Sequence, residues 1–422
     1  MEIIISLFLI LFLSYFLSLL FSRLGLPKLI APVVVGIVFS VTTGTFYLLG
    51  IRFTLMDVGA ITSITFIKDI AIIFLMFFVG LKINFRHFIK SSRRSIYIAL
   101  FASLFPFLLG FLGTQLAHYY GLLDYFIPDG KNLFLIAYVV GVCLSVTAEV
   151  VVIEVLEELR ILKSVLGETM IEAGLVDTIV GVLLLSGVIM FLPSSSYAHL
   201  SLGGKIGVRF VEMAIFAFIL FILGKYIVPR LLHATRSQKD RETSYFTLSI
   251  IITLFLALVS VQFDMGGSIL GAIFAGIIVQ HTLLSGDMED KREEQQLTKI
   301  VEITTFGFFA PFFLFWIGWH AEFTILFSQP FLALFILGLA IIGKYVGAYL
   351  GNYVGGGPKK EGSIIGWGMN TKGEVDIMIA TLMFSLGLFT QDIFSSIIFM
   401  SLATTLISPI IFRKLVRSYH AL

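Results

Sequence analysis

An aspartate stands in the middle of an apolar run: Glu172-Ala173-Gly174-Leu175-Val176-Asp177-Thr178-Ile179-Val180-Gly181, followed by small and apolar residues as far as Leu192. Ionisable side chains are costly in hydrocarbon, so one retained there is a functional candidate by default. Burial penalises the charged form. The same carboxylate can then hold a proton near neutral pH, or shed it and offer oxygen to a hard cation. One acid with two mutually exclusive ligands is the least chemistry an ion exchanger needs. The plainer alternative is a structural aspartate paired to a neighbouring helix. Glu172 lies five residues earlier, about 7.5 Å along a helix and some 140° around it. It does not share a face with Asp177; it either meets a cation on another helix or approaches the membrane surface.

Lys344 is embedded in Ala340-Ile341-Ile342-Gly343-Lys344-Tyr345-Val346-Gly347. A lysine in such surroundings needs a carboxylate partner or it loses its proton, unless it snorkels to the surface. Glu172 and Asp177 are the candidate partners. Two further segments interrupt apolar stretches with hydroxyls and charges: Ser145-Val146-Thr147-Ala148-Glu149 and Asn370-Thr371-Lys372-Gly373-Glu374-Val375-Asp376. Both are places where a helix can break. Unwound backbone exposes carbonyls and N–H groups, and charged side chains can neutralise the opposed half-helix ends. Thr147 and Glu149 are candidates to help bind the ion or proton; Lys372 and Glu374 are candidate structural charges. The bland alternative is a pair of kinked polar helices lining a cavity.

The elements that must carry these residues follow from composition. The 422 residues are 58% hydrophobic and 13% charged, with mean hydropathy +1.00, against about 25% charged in soluble domains. Lipid must be the solvent. Thirteen apolar spans, each long enough to cross a bilayer, are expected at about 3–21, 29–49, 66–82, 96–117, 133–154, 164–192, 205–229, 245–261, 264–283, 299–319, 329–352, 361–387 and 391–412. The first lacks a basic leader and a small-x-small cleavage pattern, so it reads as a retained helix. Loops after the odd-numbered spans carry 21 Lys or Arg against five on the opposite side. By the positive-inside rule, the N-terminus is outside and the C-terminus cytoplasmic, in a multi-pass protein of a bacterial inner membrane. The charged run Gly286-Asp287-Met288-Glu289-Asp290-Lys291-Arg292-Glu293-Glu294 reads as a solvated linker between helices. No loop is long enough for a soluble catalytic domain, and no glycine-rich nucleotide fingerprint or metal-ligand cluster is present. The lone Cys143 excludes an intrachain disulfide. The protein is expected not to be an enzyme, to need no cofactor and to bind no nucleic acid.

The chain also repeats itself. Phe77-Phe78-Val79-Gly80 in the third span resembles Phe315-Trp316-Ile317-Gly318 in the tenth, and Val33-Val34-Val35-Gly36 in the second resembles Ile273-Phe274-Ala275-Gly276 in the ninth. Both pairs are seven spans apart. Seven is odd, so partners cross the membrane in opposite senses. That is an inverted repeat, about 1–192 and 245–415, joined by a linker helix at about 205–229. Secondary transporters use this arrangement and place the ion site near the midplane, where interrupted helices meet. The fold class expected is an all-α polytopic membrane protein with two inverted six-helix repeats and two crossed, discontinuous helices.

Taken together, Phe77-Phe78-Val79-Gly80-Leu81, Ser145-Val146-Thr147-Ala148-Glu149, Val155-Leu156-Glu157-Glu158-Leu159, Val176-Asp177, Leu270-Gly271-Ala272-Ile273-Phe274-Ala275-Gly276, Gly343-Lys344 and Thr371-Lys372-Gly373-Glu374 resemble the monovalent cation:proton antiporter-2 family along essentially the whole chain. Its relatives include Na⁺/H⁺ antiporters and the membrane domains of Kef-type K⁺/H⁺ systems. The resemblance implies exchange of Na⁺ or K⁺ for H⁺ by alternating access, with Asp177 transiently holding the cation and Lys344 beside it. It implies a dimerisation domain, a moving core domain and a homodimer. Many members carry a polar residue before the aspartate, where this chain has Val176. Glu172 resembles a glutamate that pairs with a basic residue in electroneutral relatives. That favours a Glu172–Lys344 pair, with Asp177 as sole carrier of a one-for-one exchange. Kef relatives add a C-terminal nucleotide-binding domain, which is not expected before the chain stops at Leu422. The rival reading is a sodium-coupled organic-anion symporter on a related inverted-repeat scaffold. It would want a larger polar cavity than these sparse polar residues offer.

Overall fold

The computed structural model describes residues 2–420 apart from 24–26, 29, 42–44, 49–50, 55–57, 84–91, 124–131, 163, 192–201, 236–240, 264–267, 286–287 and 326–329. Among the described residues the protein is helical apart from one pair of short strands. In chain order the elements are α1 (Glu2–Arg23), α2 (Ile30–Val41), β1 (Thr45–Leu48), β2 (Ile51–Thr54), α3 (Val58–Lys82), α4 (Arg93–Tyr119), α5 (Leu133–Ser145), α6 (Glu149–Glu158) and α7 (Val165–Phe191). Then follow α8 (Leu202–Ile222), a π-helical turn (Leu223–Ile227), α9 (Val228–Ala234), α10 (Arg241–Gln262), α11 (Ser268–Ser285) and α12 (Met288–Thr304). A second π-helical turn (Thr305–Phe309), α13 (Ala310–His320), α14 (Pro330–Val354), α15 (Lys359–Gly368), α16 (Glu374–Ser385) and α17 (Gln391–His420) complete the chain. Among the described residues nine helices are long and apolar enough to cross a membrane, and four shorter apolar helices lie between them. Each falls on one of the expected spans.

Two expectations need correction. The second span does not continue to residue 49: its helix ends at Val41, and β1 pairs antiparallel with β2, Thr45 opposite Thr54 and Leu48 opposite Ile51. Threonines and aromatics around Gly44 favour extended backbone over helix, although hydropathy alone cannot distinguish the two. The charged run is not a loop throughout. From Met288 onward it forms the first turns of α12, as its Glu, Lys, Arg and Gln residues favour intrinsically.

The chain divides into two compact units, each drawing segments from both halves of the sequence. One comprises residues 1–17, 31–85 and 186–319; the other comprises 18–30, 86–185 and 320–422. In the first, Phe77, Leu256, Val279 and Val301 are central members of one buried apolar cluster. Five glycines make the close helix contacts here, Gly271 against Leu256 O and four that the sequence repeat relates. A Cβ on Gly36 would lie 2.2 Å from Phe315 O, and one on Gly276 would lie 2.3 Å from Phe77 O. A Cβ on Gly80 would lie 2.1 Å from Ile273 O, and one on Gly318 would lie 2.1 Å from Val33 O. The sequence repeat equates Gly36 with Gly276 and Gly80 with Gly318, and each contact maps onto its partner. The repeat is therefore expressed in the packing, with α2 against α13 as the counterpart of α11 against α3.

In the second unit, Ala102, Leu156, Met170, Ala348, Ile365 and Phe412 are among the residues of another buried cluster. Here α14 lies close on α4. A Cβ on Gly343 would stand 2.7 Å from Pro106 Cα, and one on Gly347 would stand 2.3 Å from Phe101 O. A stripe of small residues permits this approach, as in other helix pairs in lipid.

Candidate functional site

The site is built where two interrupted helices cross within the second unit. The first interruption is Val146–Ala148, between α5 and α6; the second is 369–373, between α15 and α16. Polar backbone released inside hydrocarbon must find partners, and here each strand of loose chain serves the other. Ala148 N–H donates to Thr371 O at 2.9 Å. The Thr371 hydroxyl donates to Ala148 O at 3.2 Å, and the Thr147 hydroxyl to Met369 O at 3.1 Å. Further hydroxyls come from α17: Thr405 donates to Lys372 O at 2.6 Å and Ser408 to Asn370 O at 3.1 Å. Both breaks fall in the segments that the sequence marks with hydroxyls and charges.

The half-helix ends are met by opposite charges, as the helix dipole requires. Lys372 is fully buried, and its ammonium donates to Leu144 O and, at 2.6 Å, to Val146 O, at the C-terminal end of α5. At the N-terminal end of α16, Asp376 Oδ1 accepts from Gly373 N at 2.8 Å. Glu149 and Glu374 begin α6 and α16; their side chains lie outside the described residues.

Asp177 is 1% exposed, in the interior of α7, and Lys344 of α14 is 0% exposed. The Lys344 ammonium reaches both oxygens of Asp177, at 2.9 and 3.1 Å, and also donates to Ser145 O. The Ser103 hydroxyl of α4 donates to Asp177 Oδ1. Four elements thus converge on the Asp177–Lys344 pair, and the glycine-permitted approach of α14 to α4 brings Lys344 and Ser103 to the same oxygen. Removing two charges from water is repaid only when the pair is close and further hydrogen bonds complete it. Both conditions hold here.

The expected Glu172–Lys344 pair is not formed. Glu172 accepts from Ser92 N at 3.0 Å and from the Ser95 hydroxyl at 2.8 Å, placing a carboxylate at the N-terminus of α4. The five-residue offset along α7 turns it away from the face that Asp177 shows to Lys344. Glu172→Ala should therefore lower the thermal stability of the purified protein by about 0.5–2 kcal/mol, the range for losing a helix cap. It should leave Asp177-dependent activity standing. Thr147, expected at the ion site, ties the crossing together. It also lines a narrow cleft with Met170, Gly174 and Met369. Met170, Gly174 and Asp177 are spaced i, i+4, i+7, one helical face, so the cleft reaches within a turn of the acid.

Two residues at the site were not singled out by the sequence. Ser103 looks like any small residue of an apolar helix. Asp376 was quoted with its segment but given no role, although the spacing Gly373-x-x-Asp376 is that of a residue capping a helix start.

An inverted repeat whose interrupted helices cross over buried charge is the architecture of a secondary transporter. The chain belongs to the sodium/hydrogen exchanger family: residues 5–418 match the family described as "Sodium/hydrogen exchanger, transmembrane". It is similar to a Na⁺/H⁺ antiporter of Enterococcus hirae, 26% identical over 84% of this chain and 85% of that one. It is also similar to the Na⁺/H⁺-K⁺ antiporter GerN of Bacillus cereus, 26% identical over 92% of this chain and 89% of that one. Among solved structures, the sodium proton antiporter MjNhaP1 of Methanocaldococcus jannaschii has the same fold. The TM-score is 0.57 at 13% identity, covering 99% of this chain and 98% of that chain.

Proposed function

We propose that this protein exchanges a monovalent cation, Na⁺ or K⁺, for H⁺ across a bacterial inner membrane by alternating access, with Asp177 as the shared carrier. The observation that carries this reading is the buried Asp177–Lys344 pair. Both carboxylate oxygens are engaged by the ammonium, so a cation can reach Asp177 only by displacing it. An ammonium displaced into a dry site without its counter-ion is driven to give up its proton. Competition for one carboxylate thereby links cation uptake to proton release. The names of the relatives support both ions, and hydroxyl and carbonyl oxygens around the crossing suit a hard cation without a resident cofactor. The cleft beside Thr147 lies at the end of α7 that follows the basic loop of Arg160 and Lys163. On the positive-inside rule that end is cytoplasmic, with the N-terminus outside. The functional particle is a homodimer in lipid.

The test is proton efflux from acid-loaded inside-out vesicles on addition of Na⁺, K⁺ or Li⁺, for the parent protein and for Asp177→Asn. One cation should collapse the gradient in the parent, and the substitution should abolish the response. Equal responses from the two proteins would remove Asp177 from the mechanism; no response to any cation would favour a symporter.

A further inference from the structure

The Lys344 ammonium marks a place where a single positive charge already finds oxygen. It is held by Asp177 Oδ1 at 2.9 Å, by Asp177 Oδ2 at 3.1 Å and by Ser145 O. An ion that displaces it inherits these acceptors. Hard cations hold oxygen at roughly 2.0–2.6 Å, closer than an ammonium does, and accept neutral oxygens beside a carboxylate. The set is completed by an unmet oxygen next to the acid.

Ser103 supplies that oxygen. It lies in the interior of α4 and is 0% exposed. A serine or threonine inside a helix commonly returns its hydroxyl to the carbonyl one turn back. In this protein Thr169 donates to Val165 O, Thr178 to Gly174 O and Thr381 to Ile377 O. Ser103 instead gives its hydrogen across to Asp177 Oδ1, the oxygen that Lys344 also holds. A hydroxyl has one hydrogen and two lone pairs. The hydrogen is used, and among the described residues nothing donates to the lone pairs. They stand dry beside the carboxylate, open to a cation placed against Oδ1.

We propose that Ser103 Oγ is a direct ligand of the transported cation, beside the Asp177 carboxylate and Ser145 O, and that it helps set which cation is carried. This rests on the exchange reading above. In the cation-free protein the hydroxyl donates to Asp177 Oδ1. When the cation arrives, Oγ turns a lone pair to it. The hydroxyl keeps its hydrogen throughout, so it adds no charge, and the proton released on binding is still that of Lys344. The alternative is a serine that only steadies Asp177. A group acting through Asp177 weakens every cation by the same factor, whereas a ligand atom changes the order among cations.

The experiment is the vesicle assay above with the cation titrated, for the parent, Ser103→Ala and Ser103→Cys. The probes are the transported Na⁺ or K⁺ and, as competitor, Tl⁺, a softer monovalent ion similar in size to K⁺, all as nitrates. Ser103→Ala should raise the apparent KM for the transported cation roughly tenfold or more, the scale of one hydrogen bond to a charged group, with the maximal rate changed less. Ser103→Cys replaces a hard oxygen by a soft sulfur of similar shape, and soft ligands favour soft ions. It should raise KM for Na⁺ or K⁺ while Tl⁺ competes as well or better, shifting the preference toward Tl⁺ by roughly tenfold. The cysteine keeps a weak donor for Asp177, so it decides the matter if the alanine variant does not fold. An unchanged KM in Ser103→Ala, or a preference in Ser103→Cys that does not move toward Tl⁺, overturns the proposal. Failure of the exchange reading looks different: no cation collapses the gradient in the parent, or Asp177→Asn responds as the parent does.

Discussion

Lys344→Ala should destabilise the protein by about 3–5 kcal/mol, the usual cost of stranding a buried charge. The lysine supplies Asp177 with hydrogen bonds to both oxygens and is itself out of contact with solvent. Removing it leaves the Ser103 hydroxyl as the remaining described donor to that acid. The sign of the effect is tested by adding Asp177→Asn. If the loss comes from an uncompensated carboxylate, the double variant should unfold at a higher temperature than Lys344→Ala alone, with neither transporting. Thermal unfolding in one detergent, read as a double-mutant cycle, measures the coupling. A cycle that closes with no interaction energy would show that Lys344 stabilises by packing its stem, not by its charge.

Comparable losses are expected from Gly36→Ala, Gly80→Ala, Gly276→Ala and Gly318→Ala. Each added Cβ would stand 2.1–2.3 Å from a backbone carbonyl oxygen of a neighbouring helix. Backbone cannot swing aside as a side chain can, so whole helices must separate. Overpacking costs of about 1–3 kcal/mol are typical and rise when the obstacle is rigid. Because the contacts are related by the repeat, the four variants should lose stability to similar extents. Gly338→Ala is the control: it lies within α14 with nothing within 4 Å of the added Cβ. It should be neutral or gain up to about 1 kcal/mol from helix propensity. Yields of folded protein after detergent extraction, followed by thermal unfolding, separate the two classes. A harmless Gly80→Ala beside a harmful Gly318→Ala would contradict the equivalence, since the repeat maps one glycine and its contact onto the other.

The crossing was legible because the membrane makes polar residues conspicuous. Thr147 and Lys372 break apolar runs, and a break needs such groups to satisfy loosened backbone. The repeat was legible through glycines, which mark where helices touch. Partner choice was not legible. Whether Lys344 meets Glu172 or Asp177 depends on the rotation and height of α14 against α7, which follow from packing spread over many residues. Ser103 was hidden for a related reason: a serine in an apolar helix shows its role only when another helix brings a carboxylate to it. The strand pair at 45–48 and 51–54 was hidden because Phe, Tyr, Leu and Ile count equally toward an apolar span whether helical or extended.

The division into units has a consequence for biogenesis. Gly36 packs on Gly318 and Gly80 on Gly276, yet translation runs at roughly 5–20 residues per second. The early helices of the first unit therefore wait in the bilayer for roughly 10–60 s at that rate before their partners emerge from the ribosome. In that interval residues 86–185, which belong to the other unit, are synthesised. During the wait, the glycine faces of α2 and α3 lack the later helices they finally pack on. The insertion of α3 cannot rely on those contacts, and α3 is long and apolar enough to cross by itself, whereas α2, at 12 residues, falls short of that length.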